Sequence, residues 1–259
     1  MALFARWTAA LLLALLPLNV LAAEPVRVAA AADLRPALTR IAADFRRATG
    51  RDVQITFGSS GMLAQQIARG APFDLFLSAD ESYVQQLARD GRTVDGGALY
   101  AIGRLALVAP KGSPLRLDGQ LHGLRAALAQ GRITRFAIAN PDHAPYGARA
   151  REALQRAGLW SAIQPRLVLG DNVAQALQFA TAGAQGGIVS SSLVRDPAVA
   201  ARVSHVLIPA SWHSPLRQRM VLVRGAAADA RAFYAFVRQP AARRTLVRFG
   251  FTLPESGAR

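Results

Sequence analysis

Val26-Arg27-Val28-Ala29-Ala30-Ala31-Ala32-Asp33-Leu34 runs from an apolar segment of strand length into a helical pattern, in which Leu34, Leu38, Ile41, Ala42 and Phe45 recur on one face until Gly50. A second unit follows at once. Val53 to Phe57 reads as a strand, Gly58-Ser59-Ser60-Gly61 as a tight turn, and Met62 to Ala68 as a helix with Leu63 and Ile67 on one side. Asp74 to Leu77 makes a third strand. Strand-length apolar runs alternating with helical periodicity predict an α/β protein whose sheets are mainly parallel and flanked by helices. Where strands end and helices start, a chain gathers backbone N–H groups that can surround a small anion. Asp33, Ser59, Ser60, Tyr146 and Val173 all stand at such junctions.

Further along, Gly103 to Ala109 reads as one strand, and a second set of units follows. It comprises Phe136 to Ala139, a helix from Ala148 to Ala157, Leu167 to Leu169, a helix from Val173 to Thr181, and Gly187 to Ser190. Arg219 to Val223 returns as a strand, and two short helices flank Pro240. Upstream, Arg6 precedes a mostly apolar stretch from Trp7 to Leu21 that holds Pro17 and closes on Ala22-Ala23. This predicts a cleavable signal peptide over residues 1–23, too short and interrupted for a membrane span. Residues 255–259 read as a loose tail. With no cysteine there is no lipid attachment at the cleavage point, no disulfide and no thiolate chemistry, so the expected product is free in the periplasm.

The formal charge is +15, carried by 31 basic residues of which Lys111 is the only lysine. Such a balance attracts anions of every size. The arginines are scattered over helical stretches, with no dense basic run and no interleaved aromatics, so the footprint of a nucleic-acid binder is missing. His122, His143, His205 and His213 lack metal-ligand spacing and thiolate companions, so no protein-bound metal is expected.

Several segments together carry a resemblance. They are Ala30-Ala31-Ala32-Asp33-Leu34, Phe57-Gly58-Ser59-Ser60-Gly61, the run from Gly70 to Asp80, Asn140-Pro141-Asp142-His143-Ala144-Pro145-Tyr146-Gly147, Asp171-Asn172-Val173, Gly187-Ile188-Val189 and Arg248-Phe249-Gly250-Phe251. In these the chain resembles the periplasmic molybdate-binding proteins of ABC importers over nearly all of its expected mature length. The resemblance implies a two-lobed type II periplasmic-binding-protein fold with the ligand in the cleft. Lobe I is expected from residues 24–102 and 215–254, lobe II from 103–214. It implies a monomeric, non-enzymatic receptor with no cofactor, whose ligand is molybdate or tungstate and whose partners are an inner-membrane ABC permease and its ATPase. The only metal would be the molybdenum or tungsten atom inside the bound oxyanion. Another oxyanion or a small organic anion is the alternative, because kinship of fold does not fix the ligand.

The family's ligand positions fall on Ser60, Tyr146 and Val173, with Asp33 at a fourth, and Ser59 and Ser190 as neighbours. Ser60 offers a hydroxyl and its N–H, Val173 its N–H, and Tyr146 its N–H and phenol. Ser190 stands where many members have a tyrosine. Asp33 departs further, because well-understood members place a serine or asparagine there, each a donor, whereas an ionised aspartate only accepts. Facing a dianion at about 4 Å, it would meet repulsion of about 8 kcal/mol at an effective dielectric near 20. Three resolutions follow: Asp33 caps its own helix on the Arg35 N–H and turns away; its carboxylate accepts a proton carried by the ligand; or its carboxyl is itself protonated or neutralised by Arg35. The strength of aspartate as an N-cap favours the first.

A serine hydrolase, with Ser59 or Ser60 as nucleophile, His143 or His205 as base and Asp171 as orienter, is a remote alternative. Gly58-Ser59-Ser60-Gly61 lacks the spacing of a nucleophile elbow.

Overall fold

The computed structural model describes residues 24–254; the expected signal peptide and tail lie outside the described residues. The chain first lays down β1 (Val26–Ala31), a single 3-10 turn (Ala32–Leu34), α1 (Arg35–Thr49), β2 (Val53–Gly58), α2 (Ser60–Ala68), β3 (Leu75–Ser78), α3 (Glu81–Arg89) and β4 (Ala98–Gly103). Then come β5 (Leu105–Pro110), α4 (His122–Ala129), β6 (Phe136–Ala139), α5 (Pro145–Arg156), α6 (Trp160–Ile163), β7 (Leu167–Gly170), α7 (Val173–Ala182), β8 (Gly186–Ser190), α8 (Ser191–Val194), α9 (Pro197–Ala200) and β9 (Val203–Leu207). The chain closes with β10 (Leu216–Leu222), α10 (Ala228–Val237) and α11 (Pro240–Arg248).

Two five-stranded sheets result, in the orders β2-β1-β3-β10-β4 and β7-β6-β8-β5-β9. β1 pairs parallel with β2 and β3, and β6 parallel with β7 and β8, whereas β10 and β5 run antiparallel to their neighbours. Each sheet is thus mixed, with one reversed strand, β10 or β5, among four that point the same way, which agrees with the expected mainly parallel sheets. The strand read as Gly103 to Ala109 is divided: Gly103 ends β4 in the first sheet, and β5 starts in the second after Arg104. The chain returns to the first sheet between β9 and β10.

Three apolar clusters hold this together. One face of the first sheet packs α1, α10 and α11 around Leu38, Ile41, Phe45, Phe233 and Leu246, with the Phe45 and Phe233 rings edge-to-face at 5.1 Å. That contact ties the end of the chain to its beginning. The opposite face carries α2 and α3 through Leu63, Ile67, Val84 and Leu87 on Phe76. The second sheet is enclosed by its own cluster, which Ala31, Ala32 and Ala79 join from the first. Small residues at these three positions let the sheets' helix-bearing ends meet closely.

The parallel strands dictate where a ligand would sit, because a strand feeding a crossover helix leaves that helix's N-terminus at the strand's C-terminal end. β1, β2, β6 and β7 all do this: the 3-10 turn, α2, α5 and α7 begin within a few residues of their ends. Among the described residues no helix is long and apolar enough to cross a membrane.

Candidate functional site

Four helical N-termini converge between the sheets on a cavity of about 10 Å³, lined by Ala31, Ala32 and Asp33, by Gly58, Ser59 and Ser60, by Ala144, Pro145 and Tyr146, and by Asn172 and Val173, with Ala79 beside them. That volume is on the scale of one water-sized sphere, so the site suits a ligand of very few atoms.

Each rim has a local cause. Ser59 is the N-cap of α2, its Oγ accepting from the Met62 N–H at 3.4 Å. The helix thus starts at Ser60, two residues before the expected Met62. Asn172 caps α7, its Oδ1 accepting from the N–H groups of Ala174 at 3.0 Å and Gln175 at 3.1 Å. Pro145 opens α5, where a missing N–H costs nothing and its fixed φ suits the helix. This corrects the expected start at Ala148 and puts Tyr146 inside the first turn. Gly147 is required there, because a Cβ would fall 2.1 Å from the Ala139 carbonyl oxygen.

The first N–H groups of a helix have no intrahelical acceptor. Among the described residues those of Ser60, Tyr146 and Val173 find no other acceptor either, and all three residues line the cavity. The helix dipoles add partial positive charge at the same place. Ser60 contributes more: its buried Oγ accepts from the Ala79 N–H at 2.9 Å, which leaves its single O–H proton for a ligand. The Ser59 hydroxyl is engaged by its cap bond and by His143 Nδ1 at 3.0 Å. Ser190 caps α8, bonds the Ser192 hydroxyl and lies beside the Tyr146 phenol; it is not among the cavity-lining residues.

Asp33 does not cap α1. The Arg35 N–H bonds the Ala32 carbonyl oxygen, no side chain caps the 3-10 turn or α1, and the Arg35 guanidinium stacks 4.5 Å over the Phe57 ring, away from the carboxylate. The Asp33 carboxyl is fully buried, with Oδ2 accepting from the Tyr146 hydroxyl at 3.0 Å and from Gln218 Nε2 at 2.6 Å. Oδ1 has no partner among the described residues. Tertiary donors from α5 and β10 have outcompeted the local cap. Burial pushes the Asp33 pKa up to about 6, against the pull of the Gln218 and Tyr146 hydrogen bonds and of the backbone N–H groups of Asp33 and Leu34. Tyr146 and Tyr100 are driven well above the usual phenol range by burial and then by the Asp33 charge.

Sequence reading missed Gln218 and Tyr100. The Tyr100 hydroxyl donates to Gln218 Oε1 at 2.7 Å, which turns the amide's nitrogen towards Asp33. Gln218 carries no local signal, because it stands between Arg217 and Arg219 in the sequence and its burial follows only from the strand's place in the sheet. Gly103 makes room for this network, since a Cβ there would lie 2.3 Å from the Tyr146 hydroxyl oxygen.

The two sheets are also clasped across the cavity's rim. The Gly61 N–H bonds the His143 carbonyl oxygen at 3.0 Å, and Arg149 Nη2 meets Asp80 at 2.7 Å while its Nη1 holds Glu152 at 2.9 Å. Asp80 also caps α3 through the Ser82 N–H. Asp74 is structural: its carboxylate holds the Arg27 and Ala227 N–H groups. His122, His205 and His213 are not among the cavity-lining residues, and no group of His, Asp or Glu among the described residues is arranged to hold a metal ion. Asp171 bonds only through its backbone N–H to Gln175, so no Ser-His-Asp chain forms at Ser59.

Comparison with known proteins follows the same lines. The molybdate-binding protein ModA of Rhodobacter capsulatus is 35% identical over 89% of this chain and 89% of its own length. The ModA of Escherichia coli is 35% identical over 91% of this chain and 92% of its own. The solved periplasmic molybdate-binding protein of Azotobacter vinelandii superposes with a TM-score of 0.81 at 32% identity, covering 89% of this chain and all of that one. A sulfate-binding protein of Mycobacterium tuberculosis, at 16% identity and a TM-score of 0.73, shares the fold. Residues 26–252 match the model of bacterial extracellular solute-binding proteins, and the chain belongs to that family of binding proteins, not enzymes.

Proposed function

We propose that this protein captures molybdate or tungstate in the cleft between its two sheets and delivers it, from the periplasm, to an inner-membrane ABC permease and its ATPase. The observation that carries this reading is the convergence of unbonded N–H groups from Ser60, Tyr146 and Val173, with the free O–H of Ser60, on one small cavity. A tetrahedral oxyanion needs donors on several sides, and helix N-termini supply them without a full positive charge. Preorganised neutral donors select a ligand by the positions of its oxygens. The likeness to molybdate-binding relatives along most of the chain supports the same ligand.

In this reading the first sheet and its helices form lobe I, residues 24–102 and 215–254, and residues 103–214 form lobe II. The crossovers near Ile102 and Ser214 are the hinges, and the His143 and Arg149 contacts close the cleft. Isothermal titration of the mature protein with molybdate, tungstate, sulfate and phosphate in parallel tests this. Tight binding of the first two, with sulfate and phosphate much weaker, is the expected result. Preference for phosphate, or no binding of either metal oxyanion, would overturn it.

A further inference from the structure

We propose that the cleft takes up its anion together with one proton, because Asp33 is held in place as a neutral acid that donates its O–H to the ligand. The proposal deepens the receptor reading above and rests on it. The geometry points there from three sides. Both side-chain donors that reach the carboxyl converge on Oδ2, as they would on the carbonyl oxygen of an undissociated acid, while the backbone N–H groups of Asp33 and Leu34 pull the other way and are outweighed by burial. Oδ1 is left buried without a partner, on a residue that lines the cavity. The network runs one way, since Tyr100 donates to Gln218 Oε1 at 2.7 Å, shorter than its 3.4 Å reach to the Ser78 carbonyl oxygen, and Gln218 Nε2 then donates to Oδ2.

No cation offsets an ionised Asp33. From α5 it faces the Tyr146 phenol, from β4 the Tyr100 phenol, from β10 the Gln218 amide and from α8 the Ser192 hydroxyl, which bonds its backbone oxygen at 2.7 Å. Both phenols stay neutral. Arg35, on the adjoining helix, is stacked on Phe57. A carboxylate and a dianion in this enclosure would be like charges separated only by dipoles. A neutral carboxyl removes the repulsion and supplies the donor that a serine or asparagine would give. Burial already moves the carboxyl towards that state, to a pKa of about 6, before any anion arrives.

The test is calorimetric titration of the full mature protein with molybdate between pH 6.0 and 8.0, each pH in two buffers of different ionisation enthalpy. With a competent fraction set by a carboxyl titrating at about 6, affinity should weaken about fiftyfold from pH 6.0 to 8.0. Uptake should approach one proton per anion at the upper end. Asp33→Asn and Asp33→Ser should bind with almost no pH dependence and no proton uptake. Proton uptake by the wild type needs no variant, so the proposal stays testable if one fails to fold. Tight molybdate binding without proton uptake overturns the proposal and leaves the receptor reading standing. Binding confined to phosphate and lost in Asp33→Asn overturns it too, since the carboxylate would then accept the ligand's proton. If wild type and both variants bind no tetrahedral oxyanion at any pH, the receptor reading falls and takes the proposal with it.

Discussion

Replacing Ser60 by alanine separates the two tasks that one hydroxyl performs. Its Oγ accepts the Ala79 N–H at 2.9 Å, and both residues are buried. The Ala79 N–H has no other acceptor among the described residues, so Ser60→Ala leaves a buried donor unpaired. An orphaned buried donor costs about 1–3 kcal/mol. For a chain of this size that lowers the melting temperature by about 2–4 °C per kcal/mol, giving a fall of about 2–12 °C without ligand. The second task, in the proposed site, is to donate its O–H to the anion. A hydrogen bond to a charged partner contributes about 1.5–3 kcal/mol, so the molybdate Kd should rise about 10- to 150-fold. Binding is not abolished, because the backbone N–H of residue 60 and those of Tyr146 and Val173 remain. Thermal denaturation of the ligand-free protein and calorimetric titration measure the two losses separately. A lowered melting temperature with a Kd within twofold of wild type would refute the reasoning, since the hydroxyl would then serve only to hold Ala79.

Three further outcomes follow from the same contacts. Gly61→Ala places a Cβ 2.6 Å from the His143 carbonyl oxygen, so it should weaken molybdate binding by tenfold or more through impaired closure; the same melting temperature without ligand, checked by calorimetry, would assign the loss to closure and not to folding. Arg149→Ala removes the clasp to Asp80, whose side chains are 17% and 18% exposed, and at a solvent-discounted cost of about 1 kcal/mol should raise the Kd several-fold, an effect that shrinks in high salt; a salt-independent loss would argue for packing instead. In the ligand-free protein Asp33 titrates at about 6 against 3.8 unfolded, so its contribution to stability is complete below pH 3.8 and lost as pH rises through 6, about 3 kcal/mol in all. Denaturant unfolding at pH 4 and pH 7 should show wild type losing about 2–3 kcal/mol relative to Asp33→Asn. His213 and His205, both depressed by burial, lose stability in the opposite direction, as pH falls below 6.5, but equally in both proteins. Parallel pH profiles for the two proteins would contradict the buried, raised carboxyl.

Much of the fold was legible because its signals are local. Val26 to Ala31 and Phe136 to Ala139 are apolar runs of strand length, and the α1 stripe ends at a Gly50 in the left-handed conformation that favours glycine. Ser60 and Val173 were named from the resemblance, and the structure places each directly after the side chain, Ser59 or Asn172, that caps its helix. The starts of α2 and α5 were read late because Gly58-Ser59-Ser60-Gly61 and Pro145-Tyr146-Gly147 carry turn residues. In the folded chain those glycines serve close approach, Gly61 to His143 and Gly147 to Ala139. Asp33 was the least legible. Its sequence neighbours argue for a cap, while the groups that hold it, Tyr146 and Gln218, stand 113 and 185 residues away.

A chain with a formal charge of +15 leaves its cavity without a single cation, and the two facts belong together. Arginines around the cavity are committed elsewhere: Arg35 is stacked on Phe57, Arg149 is paired with Asp80 and Glu152, and Arg217 and Arg219 with Glu81. Held outside the cavity by acidic partners or an aromatic ring, these guanidinium groups add to a long-range field that draws in anions of any shape and fades within about 10 Å at ordinary salt. Inside, the lining offers a ligand only fixed dipoles and one carboxyl, and these act over a bond length. Attraction and selection are therefore separated in space. A cation in the cavity would merge them and admit any small anion, whereas in the proposed site the N–H groups of three helix starts, at Ser60, Tyr146 and Val173, admit an oxyanion whose oxygens fall where they point. Asp33 then adds a condition of a different kind, because its carboxyl accepts a dianion as neighbour only when it carries a proton.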